Sequence, residues 1–366
     1  MSFSIEEDER VAFDRRVRGS VNMIEIERIQ EWVEVMGTTL TPEILVRENQ
    51  GEKDNRIVIF LIPGNPGNDG FYTDFGRRLI RNLIAREDRL GHRRVQFLFY
   101  TISHLNHVLL PTELRCSESH KVNERFSLLE QVQHKLDFVK EYLPRGNRVY
   151  MFGHGAGAYM LLSILPYIKD DFNLRKAVCL FPTIEKMSES PHGIRLRKVV
   201  STLRQNDWLA RTLTFWVDLM PESFKRRLIS MKMASDQTSP ELVETISELL
   251  HMQVFRNIVH LCNDELDKVC KLIPHCNVMR LKIASCNCKY IHPVQIGSLD
   301  ESLLFHKNLV YFYYGVNDGW CPIEHGEAMS QKLTRGHVVI DKDNVEHSFV
   351  FRDAATMAEK VLQFIV

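Results

Sequence analysis

Three short segments of the 366-residue chain carry residue types, in an order, that suit acyl transfer. Gly153-His154-Gly155-Ala156-Gly157-Ala158-Tyr159 has the frame of a G-x-S-x-G nucleophile elbow, with Gly155 where the motif places serine. Tyr314-Gly315-Val316-Asn317-Asp318-Gly319-Trp320 offers Asp318, a carboxylate that can orient an imidazole and stabilise it once protonated. Asn344-Val345-Glu346-His347-Ser348-Phe349 offers His347, which can take a proton from a nucleophile and return it to a leaving group. Nucleophile position, acid and histidine follow one another as they do in triads built on a strand-to-helix elbow. Backbone donors survive the loss of a hydroxyl. The amides of Ala156 and of Asn65, in Pro63-Gly64-Asn65-Pro66-Gly67, are therefore expected to form an oxyanion hole.

Each feature also has a plain explanation. A proline- and glycine-rich loop is first a tight turn, and an aspartate beside glycine is often a turn residue. His154 belongs to the elbow itself and is expected to pack or hydrogen-bond locally rather than act as base. No serine obviously replaces the missing one. Ser163 lies eight residues along a helix, about 12 Å away. Ser103 and Ser348 occupy loops, where a surface or capping role is expected.

These residues need a scaffold of alternating strands and helices. Arg56–Ile62 is a continuous, β-branched apolar run, as expected of a strand buried on both faces. Phe71, Phe75, Leu79 and Leu83 predict a helix over Phe71–Arg86, and Arg94–Tyr100 returns to strand. Further helices are expected over Arg125–Leu143, Ala158–Ile168, Glu324–Leu333 and Ala354–Val366. Strands are expected at Asn147–Phe152, Lys176–Phe181, Leu309–Tyr314 and His337–Ile340. Glu31–Met36 and Glu43–Arg47 read as antiparallel edge strands around Gly37-Thr38-Thr39. Such alternation implies an α/β fold with a mostly parallel sheet covered by helices on both faces, and ligands at the carboxyl ends of its strands.

Composition narrows the classes. Lysine plus arginine equals aspartate plus glutamate at 47 each, so no global charge draws the chain to nucleic acid. Eight cysteines are too sparse for a secreted disulfide scaffold. The charged segment Met1–Arg16 gives no signal peptide, and no run of about eighteen apolar residues is present to span a membrane. The expectation is a cytosol-facing protein. Cys276, Cys286 and Cys288 near His275 and His292 lack the usual two-residue ligand spacing, so reduced thiols and no metal are expected. No cofactor motif is recognised.

No Pro/Gly/Ser-rich linker divides the chain, which reads as one α/β domain over residues 1–366 with a helical cap inserted at about 182–307. Residues 193–233 hold nine lysines or arginines against three acids. Leu209, Leu213, Trp216, Val217 and Met220 share a helical face, and Phe224, Leu228 and Ile229 accompany Lys225, Arg226 and Arg227. A basic amphipathic stretch of this kind lies in a membrane interface or packs as a lid, and the pattern alone leaves both open.

The chain resembles the lipid droplet-associated hydrolase family. The resemblance rests on Ile62-Pro63-Gly64-Asn65-Pro66-Gly67, Phe71-Tyr72, Thr101-Ile102-Ser103-His104, Gly157-Ala158-Tyr159 and Phe181-Pro182-Thr183-Ile184-Glu185-Lys186-Met187. Ser190-Pro191-His192-Gly193 and Phe312-Tyr313-Tyr314-Gly315 with Asp318, Trp320, Cys321 and Pro322 extend it. It runs from about residue 56 onward and shows little between Asp264 and Glu301. The resemblance implies an α/β-hydrolase fold, a Ser-Asp-His triad, hydrolysis of a lipid or sterol ester, and residence on lipid droplets and the cytosolic face of the endoplasmic reticulum. Acid and base fall on Asp318 and His347, and the serine position falls on Gly155. Impaired catalysis, or binding of an acyl ligand or protein partner in the former active-site cleft, follows as the pair of expectations.

Overall fold

The computed structural model describes residues 26–35, 39–48, 52–91, 95–110, 125–233, 239–269 and 306–365. The cysteine and histidine cluster of residues 275–292 lies outside the described residues. Cys179, Cys262 and Cys321, which lie within them, are free thiols.

Eight strands form one sheet in the order β1-β2-β4-β3-β5-β6-β7-β8. They are β1 (Ile26–Val35), β2 (Thr39–Glu48), β3 (Glu52–Ile62), β4 (Val95–Ile102), β5 (Arg148–His154), β6 (Asn173–Leu180), β7 (Val310–Gly315) and β8 (Val338–Asp341). Every pairing from β4 to β8 is parallel, while β1 with β2 and β2 with β4 are antiparallel. The central strands are apolar because both faces are covered: Ile57 to Ile62 are all at most 1% exposed.

Around the sheet lie α1 (Thr73–Leu90), α2 (Leu128–Tyr142), α3 (Ala156–Ile168), α9 (Ile323–Lys332), α10 (Phe349–Arg352) and α11 (Ala354–Lys360). Between β6 and β7 are α4 (Pro191–Gln205), α5 (Asp207–Asp218), α6 (Glu222–Lys232), α7 (Pro240–Leu249) and α8 (Met252–Lys268). Local chemistry sets several boundaries. Ser127 caps α2 in a capping box with Glu130. Gly91 ends α1 in the left-handed region at φ 77°.

The structure shifts some expected elements. A short 3₁₀ turn, Asp69–Tyr72, precedes α1, so Phe71 stands outside the α-helix. Helix α3 begins at Ala156 instead of Ala158. The closing helix ends at Lys360 and continues as a 3₁₀ turn, Val361–Phe364. The edge strands reach ten residues each. Lys225 is not a surface charge: its side chain is 1% exposed and donates to Glu222 at 2.7 Å.

The inserted helices touch the loops at the carboxyl end of the sheet. Asn65 Nδ2 donates to the Ile258 carbonyl on α8 at 3.2 Å, and Asn68 Nδ2 donates to Glu248 on α7 at 2.8 Å. The Leu128 amide donates to Asp264 at 2.7 Å, and the His192 amide donates to the Gly319 carbonyl at 2.9 Å. The inserted helices are thus tied both to the Asn65 loop and to the turn that carries Asp318.

Candidate active site

The elbow forms because two glycines allow it. Gly155, between β5 and α3, has φ 53° and ψ −119°, a conformation costly for residues with a β-carbon. Gly157 lies so close to β3 that a β-carbon there would stand 2.2 Å from the Ile62 carbonyl oxygen. Only a glycine lets α3 start this close to the sheet.

The structure brings Asp318 and His347 to the same place. Oδ2 of Asp318 accepts from Nδ1 of His347 at 2.7 Å and from Sγ of Cys321 at 2.8 Å. Its Oδ1 accepts from the amides of Trp320 at 2.7 Å and Cys321 at 3.1 Å. Burial alone would raise the Asp318 pKa. The charge and hydrogen bond of His347, with the bonds from Cys321 and Trp320, outweigh it and hold the carboxyl at about 2. The imidazole is thereby paired with an ionised carboxylate.

The other ring nitrogen of His347 faces the elbow. A β-carbon built on Gly155 would lie 3.2 Å from Nε2 of His347 and 3.8 Å from Cα of Gly64. Sequence order alone could not supply this distance. Gly155, Asp318 and His347, taken from the ends of three parallel strands, converge on one point.

Ala156 opens α3, where the first amides have no intrahelical acceptor. In the loop after β3, the Gly64 amide is already committed, donating to Tyr72 Oη at 2.9 Å. Asn65, the next residue, has its side chain turned to Ile258.

Sequence reasoning missed Tyr72 and misplaced the partners of His154. Tyr72 Oη lies 2.7 Å from His154 Nδ1, and His154 Nε2 lies 2.9 Å from the carbonyl of His347. Burial first, then the neighbouring His347 charge, pulls the His154 pKa down to about 3, so its ring is neutral near pH 7. The hydrogen bonds then have one consistent direction: Gly64 N–H to Tyr72, Tyr72 O–H to His154 Nδ1, and His154 Nε2–H to His347 O. This buried relay ties the loop after β3 to the backbone of His347. His154 thus bonds to residues remote in sequence, not locally. The Phe71-Tyr72 pair was visible in the sequence, but nothing there joined it to the elbow.

The serines are engaged elsewhere. Ser163 donates to the Tyr159 carbonyl at 2.8 Å, one helical turn back. Ser103 is fully buried rather than at the surface, and its hydroxyl donates to the Asp69 carboxylate. Ser348 precedes α10 and makes no side-chain cap bond there. Asp318, Cys321 and His347 each bring one metal-type ligand atom within 4.8 Å of the others. Asp318 and His347 use those atoms to bond one another.

Residues 55–350 match the family model described as lipid-droplet associated hydrolase. The chain belongs to this family. Similar curated relatives, each named lipid droplet-associated hydrolase, include one from Homo sapiens, 27% identical over 323 residues and covering 86% of each chain. The Mus musculus relative is 26% identical over 327 residues, covering 87% of each chain. That of Drosophila melanogaster is 26% identical over 323 residues, covering 87% of this chain and 91% of its own.

Solved structures agree on the fold. A bacterial membrane phospholipase A superposes with TM-score 0.53 at 11% identity, covering 98% of this chain and 91% of its own. The haloalkane dehalogenase DbeA from Bradyrhizobium elkani gives 0.55 at 10% identity, covering 93% and 99%. This family member therefore has the α/β-hydrolase fold, and at such identities the likeness concerns fold alone. None of its described helices is long and apolar enough to cross a membrane.

Proposed function

We propose that this member of the lipid droplet-associated hydrolase family receives a neutral-lipid or sterol ester at the Gly155 elbow, and that its parental chemistry, carboxylic ester hydrolysis, is impaired. One observation carries the reading: an imidazole paired to a buried carboxylate points at an elbow residue without a side chain. In this assignment Asp318 orients His347 and stabilises its protonated form, His347 is the base, and the amides of Asn65 and Ala156 hold the developing oxyanion.

Without a hydroxyl at position 155 no acyl-enzyme forms there. Loss of a serine nucleophile costs about a million-fold in turnover, while oxyanion hole and positioning retain about a thousand- to ten-thousand-fold over water. The assay is ester hydrolysis by wild type, Gly155→Ser and His347→Ala. Turnover absent in wild type and gained by Gly155→Ser supports impairment. Wild-type turnover abolished by His347→Ala would instead mean that His347 activates a water directly.

The second reading is a non-catalytic protein of the lipid-droplet and endoplasmic-reticulum surface that holds an acyl ligand or protein partner in this cleft. It is favoured by the outer surface of the inserted helices, which we read as a cap of the single domain. Trp208, Phe215 and Trp216 on α5, with Leu219 at its C-terminal cap, are each more than half exposed, at 66%, 53%, 67% and 62%. Ile194 and Val199 on α4, with Phe224 and Met231 on α6, extend the apolar surface. Among the described residues, Leu90 alone is a large exposed hydrophobic outside residues 194–231. Isolated apolar side chains are ordinary at a protein surface, but a concentration on three consecutive helices calls for a covering phase. Exposed basic residues such as Arg195, Arg197 and Arg227 accompany it and suit phospholipid head groups. Flotation with phospholipid-coated triolein droplets tests the surface. Retention of Trp208→Ser/Trp216→Ser on droplets at the wild-type level would reject it.

A further inference from the structure

We propose that the elbow site selects an ionised carboxylic acid, the free acyl chain, over the corresponding ester. The inference rests on the acyl-ligand reading above and names the head group that reading leaves open.

Gly155 leaves the centre of the elbow without a side chain. A β-carbon there would meet Nε2 of His347 at 3.2 Å, with Gly64 Cα next at 3.8 Å. Where a serine hydroxymethyl would occupy this volume, the imidazole Nε2 faces it directly. A ligand atom that replaces the hydroxyl must therefore pair with Nε2.

An ester is poorly matched to the task. Its carbonyl oxygen can accept from the Ala156 and Asn65 amides, but its second oxygen is a weak acceptor that carries the alcohol substituent. A carboxylate has two equivalent, charged acceptors. One can take the amide bonds while the other accepts from Nε2–H of the imidazolium. Hydrogen bonds to charged groups are shorter and about twice as strong as neutral ones.

The surrounding charge supports an anion. Helix α3 is thirteen residues long, and its first turn holds no acidic residue, so the positive end of its dipole is not offset by its own side chains. The groups around His347 are Asp318 and Cys321 after β7 and His154 from β5. His154 is neutral near pH 7, and burial pushes the Cys321 thiol well up, keeping it protonated. Asp318 is the charged one of the three. Protonating His347 makes the Asp318–His347 pair neutral overall, leaving the incoming carboxylate to face the imidazolium and the helix end. The pairing conserves protons: the carboxylate meets the imidazolium form of His347, or the neutral acid gives its own proton to Nε2. No covalent bond is made or broken.

The experiment is calorimetric titration of the full chain with oleate and with methyl oleate, both below their aggregation concentrations, for wild type and His347→Gln. The glutamine side chain can hydrogen-bond but cannot become cationic. Oleate should bind wild type about tenfold or more tightly than methyl oleate. His347→Gln should lose that preference while still binding methyl oleate, which also shows that the variant is folded. Equal affinity of wild type for both ligands would overturn carboxylate selection and leave the acyl-ligand reading intact. Binding of neither ligand would overturn both. A preference unchanged in His347→Gln would likewise reject the proposed clamp.

Discussion

Nε2 of His347 lies 3.2 Å from the position a β-carbon would take on Gly155. That distance makes the empty centre of the elbow a chemical fact as well as a gap in a motif, because an imidazole already hydrogen-bonded to Asp318 points at it. Installing the missing group is the first prediction. Gly155→Ser should raise ester turnover by at least about a thousand-fold over wild type, measured with a short-chain nitrophenyl ester. The same substitution places a β-carbon at φ 53° and should cost about 1–3 kcal/mol of unfolding free energy by urea titration. A gain in activity with a loss in stability is the expected signature.

Tyr72 and His154 form the buried link between the Gly64 loop and His347. Removing the phenolic hydroxyl leaves the Gly64 amide and His154 Nδ1 without that partner. Tyr72→Phe should therefore destabilise the fold by about 1–3 kcal/mol. In a Gly155→Ser background it should also lower kcat more than it raises KM, since the relay positions the base and touches no substrate. Equal kcat in Gly155→Ser with and without Tyr72→Phe would reject that positioning role.

Asp318 should dominate part of the acid limb of stability. Its folded pKa of about 2 lies below its ordinary 3.8, so the folded state binds fewer protons. The contribution is present above about pH 4 and lost as pH falls toward 2. Its size is about 2 kcal/mol. The slope of unfolding free energy between pH 4 and 2 should be shallower in Asp318→Asn than in wild type.

Glu248 and Glu265, on the helices that grip the Asn65–Asn68 loop, have the opposite sign. Burial, then the neighbouring Asp264 charge, raises Glu265 from 4.5 to about 8, and burial with Asp69 and Glu244 nearby raises Glu248 to about 7. Their folded pKa values exceed the unfolded ones, so their contribution is complete below about pH 4.5 and is lost as pH rises through 7 to 8. Glu265→Gln should flatten this decline and slow alkaline exchange of amides in α8, read by hydrogen–deuterium exchange. A decline as steep as wild type would remove Glu265 as its cause.

The outer surface of the inserted helices gives a prediction independent of catalysis. Trp208→Ser/Trp216→Ser should reduce partition onto phospholipid-coated droplets by about tenfold or more, because burial of a large apolar side chain is worth more than 1.4 kcal/mol. Ester turnover by Gly155→Ser in detergent-free solution should not change. Arg227→Glu is the better charge probe than Lys225→Glu, since Lys225 is buried against Glu222 and its loss would disturb the fold.

Much of the scaffold can be read from local pattern. The run Ile57–Ile62 announces a strand covered on both faces because a parallel sheet leaves no polar side to alternate with. The order Gly155, Asp318, His347 and their positions after apolar strands identify three segments that could meet. Boundaries were less legible: Phe71 has helical spacing with Phe75 but sits in a 3₁₀ turn, because Asn68 caps that turn through Gly70. Spacing does not distinguish the last residue of one turn from the first of the next.

The sequence by itself determined the alternating α/β order, the glycine at the centre of the elbow, and the acid and histidine that follow it. These depend on residue type and short-range periodicity, which the chain carries locally. Only the tertiary structure decided that His347 Nε2 faces Gly155, that Tyr72 reaches His154 across 82 positions, and that His154 reaches His347 across 193. It also decided which apolar side chains of α5 stay outside. An amphipathic helix has the same periodicity whether its apolar face meets a protein core or solvent, and a hydrogen bond between remote residues leaves no local pattern. Those relationships exist only once the sheet has brought the ends of its strands together.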